Sequence, residues 1–88
     1  MSEKVMVVRN RLGLHARPAA MFVQEAVKFK SQILVVKDGL QVNGKSVMGL
    51  MLLAAESGSK LTIKAEGQDE DRAIAALEIL FERKFDED

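Results

Sequence analysis

Asn10-Arg11-Leu12-Gly13-Leu14-His15-Ala16-Arg17-Pro18-Ala19-Ala20 holds the only histidine and the only proline of an 88-residue chain, three positions apart with an arginine between them. Pro18 is at home in the first turn of a helix, where its missing N–H forfeits no intrahelical bond. Downstream, Ala19, Phe22, Val23, Ala26 and Phe29 recur at three- and four-residue spacing, the apolar stripe of an amphipathic helix. The pattern predicts a helix from about Ala16 to Phe29 with His15 at its N-cap. The N–H groups of Ala16 and Arg17 then lack intrahelical acceptors and face outward, with the positive end of the helix dipole behind them. That is a ready anion site. Arg17 adds a guanidinium suited to phosphate, and Gly13 permits a sharp entry into the helix. Imidazole is a nucleophile near neutral pH and can both take and release a phosphoryl group. A lone histidine beside an apolar segment is more often a core or surface residue; the arginine and the proline-started helix are what point to chemistry here.

Outward from that stretch, short β-branched runs alternate with helical ones. Lys4-Val5-Met6-Val7-Val8 reads as a first strand and Gln32–Lys37 as a second. Asp38-Gly39 is a hairpin turn, and Leu40–Asn43 returns as a third strand. Ser46 reads as the N-cap of a short helix over Val47–Leu53 that Gly49 weakens. Glu56–Ser59 is a turn. Leu61–Glu66 alternates cleanly, as a strand with one buried face does. Asp69, Glu70 and Asp71 crowd the start of a third helix, where negative charge is favoured. Ala73, Ile74, Leu77, Leu80 and Phe81 form its buried stripe, Phe85 closes the core, and Asp86-Glu87-Asp88 is a solvated acidic end. The order β-α-β-β-α-β-α predicts an α+β domain over residues 1–88. In it a four-stranded antiparallel sheet is covered on one face by three helices and open on the other.

Composition narrows the function. The formal net charge is zero, against nucleic-acid binding by bulk electrostatics. The halves differ: residues 1–45 carry eight Lys/Arg and three Asp/Glu, residues 46–88 five and ten. The candidate phosphate site lies in the basic half, which suits steering of an acidic partner. There is no cysteine, so no disulfide or thiol chemistry, and one histidine makes a transition-metal site unexpected. Neither a signal peptide nor a membrane-spanning run is visible, and a cytoplasmic location is the expectation.

Gly39-Leu40-Gln41-Val42-Asn43-Gly44-Lys45-Ser46 matches the P-loop pattern G-x-x-x-x-G-K-[ST] between a predicted strand and a predicted helix. Its interior alternates like a strand, no strand ending in a magnesium-binding aspartate follows, and 88 residues are too few for the parallel sheet such a loop needs. A hairpin strand running into a capped helix is the preferred reading of residues 39–46.

Gly13-Leu14-His15-Ala16-Arg17-Pro18-Ala19 resembles the active-site signature of the HPr phosphocarriers of the bacterial phosphotransferase system. The resemblance continues through Val42-Asn43-Gly44-Lys45-Ser46-Val47-Met48-Gly49-Leu50 and covers essentially the whole chain. It implies an open-faced sandwich with strands in the order first, fourth, second, third. It implies that phosphorylated enzyme I transfers its group to His15, that the linkage is at Nδ1, and that His15 passes the group to enzyme IIA domains. Arg17 would be the charge partner, with backbone donors at Ala16 and Arg17. The chain would be a stoichiometric carrier rather than a turnover enzyme, needing no cofactor or metal and acting as a monomer. In this family a serine at the position of Ser46 is phosphorylated in many bacteria by HPr kinase/phosphorylase. The partner surface would take in Ala20, Met21, Gln24, Val47, Met48 and Met51. The methionines adapt to successive partners; the alternative is that one or more of them fill core gaps. The ending Phe85-Asp86-Glu87-Asp88 resembles the nitrogen-related branch, NPr, whereas Gly44–Met51 resembles kinase-regulated HPr. A Crh-like corepressor, which lacks the histidine, is disfavoured by His15. A module that binds an effector without being phosphorylated is the remaining alternative.

Overall fold

The β-branched runs and the turns between them settle into one sheet. The computed structural model describes residues 1–87. In chain order these form β1 (Ser2–Val7), α1 (Ala16–Ala26), β2 (Gln32–Lys37), β3 (Leu40–Asn43), α2 (Val47–Leu52), β4 (Lys60–Glu66) and α3 (Glu70–Glu82). All the strand pairings are antiparallel, and the spatial order is β1-β4-β2-β3. The hairpin that joins β2 to β3 has positive φ at both turn residues, 49° at Asp38 and 83° at Gly39, as a type I′ turn requires.

Register puts the alternating residues where the pattern expects them. Ile33 lies opposite Ala65, Val35 opposite Ile63, and Met6 opposite Leu61, and all six are buried. The helices cover this face with Phe22 of α1, Leu50 of α2, and Ala73, Ile74, Leu77, Leu80 and Phe81 of α3. Phe22 meets Phe81 edge-on at 6.2 Å, and Phe81 meets Phe85 at 5.0 Å. Phe85 is fully buried. On the opposite face Val5 remains exposed, while Leu40, paired with Lys37 beside the hairpin turn, is exposed at the edge of the covered face.

α1 ends three residues before the periodicity does. The N–H groups of Lys28 and Phe29 bond to the carbonyls of Glu25 and Ala26, so the chain tightens into a three-residue turn. Phe29 still packs against the core from that turn, which is why the apolar stripe overran the helix. The expected solvated acidic end also needs correction. Asp86 is exposed, but Glu87 is half-buried and engaged with the first helix's entry; Asp88 lies outside the described residues.

Asp69 ties the start of α3 to the connection between α1 and β2. Its carboxylate accepts from the Ser31 hydroxyl and from the backbone N–H groups of Lys30 (2.8 Å) and Ser31 (3.0 Å). These bonds, the Ser31 hydroxyl first, hold its carboxyl down at about 2 from an ordinary 3.8. A carboxyl depressed by folding contributes stability above its unfolded value, lost as pH falls through the folded one. Asp69→Asn is therefore expected to be less stable than the parent chain at neutral pH, with the gap closing as the pH falls from about 4 toward about 2. Urea titrations across that range check this, and a gap that stays constant would exclude the ionised carboxylate as its source.

Candidate functional site

The approach to α1 is pinned on both sides. Gly58 N–H donates to the Val8 carbonyl at 2.7 Å and Val8 N–H to Ser59 at 2.9 Å. Asn10, fully buried, donates from Nδ2 to the Gly13 carbonyl at 2.6 Å, and Leu14 N–H donates to the Ala55 carbonyl at 2.8 Å. Gly13 has φ of 76°, and a Cβ there would lie 2.5 Å from the Ala55 oxygen. No side chain fits that position, so the glycine sets how closely the loop can approach the segment after α2.

His15 stands at the N-cap of α1 in extended conformation (φ −79°, ψ −171°), and its carbonyl takes the Ala19 N–H at 3.0 Å. Its side chain makes no capping bond. The imidazole is therefore free to face outward, and it is 37% exposed. Ala16 and Arg17 occupy the first helical positions, whose N–H groups have no intrahelical acceptor. Pro18 follows, buried, with no N–H to satisfy. Arg17 is exposed and has no ion-pair partner among the described residues. The first turn thus offers donors and a positive charge together, with no acidic residue in it.

The ring has one protein partner among the described residues. Its Nε2 lies 2.8 Å from Glu87 Oε1, and the same oxygen accepts from Asn10 Nδ2 at 2.8 Å. The imidazole, then the Asn10 amide, holds the Glu87 carboxyl below the usual carboxylate range, so it is ionised at neutral pH. An ionised carboxylate only accepts, which puts the ring proton on Nε2 and the lone pair on Nδ1.

In front of the ring lies an open hollow of about 640 Å³ lined by Arg11, Leu12, Leu14, His15, Met51 and the Ala54–Ser57 segment. Arg11 shares this hollow with His15; Arg17 does not line it. Met51 is 45% exposed and Met48 78%. Leu12 and Leu52, which no motif singles out, are exposed nearby in the chain. Met21 and Val47 are half-buried against the core, Ala20 is half-buried, and Gln24 is exposed. The residues missed were Asn10, Arg11 and Glu87. Nothing in the local sequence signals the last, because it reaches His15 from 72 positions away.

Ser46 is the N-cap of α2, accepting from Gly49 N–H at 3.0 Å through its hydroxyl. Lys45 is spent elsewhere: its amine donates to the Phe29 carbonyl at 2.8 Å, beside the end of α1. Residues 40–43 are strand β3, so residues 39–46 form no phosphate-cradling loop. No group of metal-ligating side chains occurs, and no helix is long and apolar enough to cross a membrane, among the described residues.

Comparison with known proteins follows the same outline. The family described as the PTS HPr component phosphorylation site matches residues 2–83. A phosphocarrier protein HPr of Treponema pallidum is 51% identical over 85 residues, covering 97% of each chain. An HPr-like protein Crh of Halalkalibacterium halodurans is 52% identical, covering 96% of this chain and all of its own length. The solved HPr of Thermoanaerobacter tengcongensis superposes with a TM-score of 0.96 at 52% identity, covering 100% of this chain and 99% of that one. A dimer of HPr from the same organism aligns at 0.78 and 53% identity, covering 97% and 98%.

Proposed function

The chain belongs to the HPr family of phosphotransferase-system phosphocarriers, and on that premise we propose that His15 is the residue that carries the phosphoryl group. The observation that supports this is the imidazole itself: unburied, not spent on capping, and standing where a helix begins. The Nδ1 lone pair attacks phosphorus, and the bond to the donor breaks with its electron pair leaving on the donor. The arriving dianion meets the N–H groups of Ala16 and Arg17 and the Arg17 guanidinium. Partial charges of this kind stabilise the phosphate without enclosing it, which keeps acceptance and donation near balance. The donor is phosphorylated enzyme I and the acceptor an enzyme IIA domain, with Leu12, Met48, Met51 and Leu52 supplying an adaptable apolar contact around the hollow. The carrier acts as one chain in this reading, because every group named around His15 belongs to a single copy; the Thermoanaerobacter dimer is the alternative assembly. Incubation with phosphoenolpyruvate and enzyme I tests the proposal. It should place one acid-labile, base-stable phosphate on the protein, and a chain that takes none is not a carrier of this kind.

Ser46 is proposed as a regulatory site. Phosphate there would sit at the start of α2, where negative charge is tolerated, yet it would add charge to a surface that acidic partners use. HPr kinase with ATP should add an acid-stable phosphate that Ser46→Ala abolishes, and the substitution itself should cost about 1 kcal/mol through loss of the cap. Absence of that phosphate on the folded wild-type chain would exclude the role.

A further inference from the structure

The chain holds five methionines and no cysteine, so thioether is its only sulfur. The fold sorts the five by access. Met6 is buried in the core, and Met21 is half-buried and packed against it. Met1 is exposed at the start of β1, where its amine pairs with Glu70 at the start of α3. That is the end of the strand away from the His15 loop. Met48 and Met51 are placed differently. They stand three residues apart on α2 and so share a face, while Leu50 and Leu53 are buried on the inner side. Met48 is the most exposed methionine of the chain, and Met51, also exposed, lines the hollow in front of His15. Leu52, four residues on from Met48, is exposed beside them, and Leu12 lines the same hollow from the loop before α1. No residue from Ser46 to Ala55 is Asp, Glu, Lys or Arg. A partner that docks on this ridge therefore gains by burying apolar surface, and two accessible sulfurs stand within it.

We propose that Met48 and Met51 form a reversible oxidation site, at which a peroxide weakens docking of the phosphoryl donor without unfolding the chain. The inference rests on the reading of His15 as the phosphoryl acceptor and of α2 as partner contact. A thioether lone pair attacks one oxygen of the peroxide; the sulfur–oxygen bond forms, the oxygen–oxygen bond breaks, and its pair leaves on the second oxygen. The hydroxyl now on sulfur gives up its proton, the departing hydroxide takes one, and water leaves. Sulfur is oxidised by two electrons and the peroxide reduced by two. The product, a sulfoxide, is polar and chiral where the thioether was apolar and adaptable. Buried against a partner, its oxygen needs a hydrogen-bond donor that an apolar contact does not supply, so a favourable contact becomes an unfavourable one. At Met51 the new oxygen also adds a partly negative atom to the lining of the hollow where His15 receives a dianion. The core is spared, because burial keeps aqueous oxidant from Met6 and packing restricts it at Met21. The exposure that admits the oxidant admits the sulfoxide reductases as well, which makes the change reversible.

The test exposes the whole chain to graded hydrogen peroxide, removes the peroxide, and maps sulfoxides by peptide mass spectrometry. The rate of phosphate acceptance from phosphorylated enzyme I is then measured below saturation, before and after treatment. Met48 and Met51 should oxidise ahead of Met6 and Met21. Acceptance should slow about tenfold or more, the scale set by losing apolar burial at a contact, while the circular dichroism spectrum stays that of the untreated chain. Treatment with both classes of methionine sulfoxide reductase, one for each sulfoxide epimer, should restore the rate. A chain carrying Met48→Leu and Met51→Leu together is compared only with itself. Whatever its starting rate, peroxide should not change it, because leucine keeps the ridge apolar and offers no sulfur. An equal loss in that chain, an unchanged rate in the parent once both sulfoxides are in place, or oxidation of Met6 and Met21 first would each overturn the inference and leave the carrier reading standing. A parent chain that takes no phosphate on His15 before any oxidation would overturn the carrier reading and this inference with it.

Discussion

Replacing His15 with alanine is expected to abolish phosphate acceptance from phosphorylated enzyme I while leaving the fold intact. The loss is complete rather than graded because the chain holds no second imidazole and no cysteine to serve as an alternative nucleophile. The fold survives because its core is built without the ring. The helix start rests on the Ala19–His15 backbone bond, the buried Pro18 and the Leu14–Ala55 bond, none of which uses the imidazole. Circular dichroism and thermal melting should therefore match the parent chain while labelling with phosphoenolpyruvate falls to background. Lys45→Ala is the control for the competing reading of residues 39–46. The Lys45 amine bonds to the Phe29 carbonyl, so its loss is expected to leave phosphate acceptance unchanged and to remove no affinity for ATP. Retained labelling in His15→Ala would show that phosphate sits on another residue, and the site as drawn would be wrong.

The parts of this structure that could be read from the chain are those governed by neighbours in sequence. The proline-started helix, the type I′ turn at Asp38-Gly39, the Ser46 cap and the buried face of α3 each follow from residues within one or two turns of one another. Strand order was different in kind. Periodicity assigns which face of a strand is buried, yet it is silent on which strand lies beside which, and the order β1-β4-β2-β3 came only through family resemblance. The end of α1 was overrun because Phe29 remains apolar and packed after the helix has stopped. At the site, His15 and Arg17 were legible because they sit in one motif. Glu87 was not, for two reasons: acidic ends of chains are ordinarily solvated, and a left-handed run opposes the local preference of Lys84 and Phe85. A conformation that local propensity opposes is invisible to reasoning from propensity, and its presence here is what draws attention to the carboxylate it carries.

Phe85→Ala is expected to destabilise the protein by about 3–5 kcal/mol, the usual cost of emptying a buried aromatic site. The position is fully buried, and the ring is the last in a chain of edge-on contacts running from Phe22 through Phe81 to Phe85. Against a total stability of about 5–15 kcal/mol for a domain of this kind, that loss is a large fraction and should lower the urea midpoint clearly. Part of that cost is offset by relief of backbone strain, because the Phe85 ring also holds Lys84 and Asp86 in their left-handed conformation. Without it the strained turn has reason to relax, and Glu87 would leave His15. Lys84→Gly separates the two contributions. At φ of 55° glycine pays little of the left-handed penalty, so this variant is expected to keep Phe85 buried and to be as stable as the parent or slightly more so. If Phe85→Ala instead costs less than about 1 kcal/mol, far short of a buried aromatic, the C-terminal turn is not docked in solution. The carboxylate would then have no fixed place beside the imidazole.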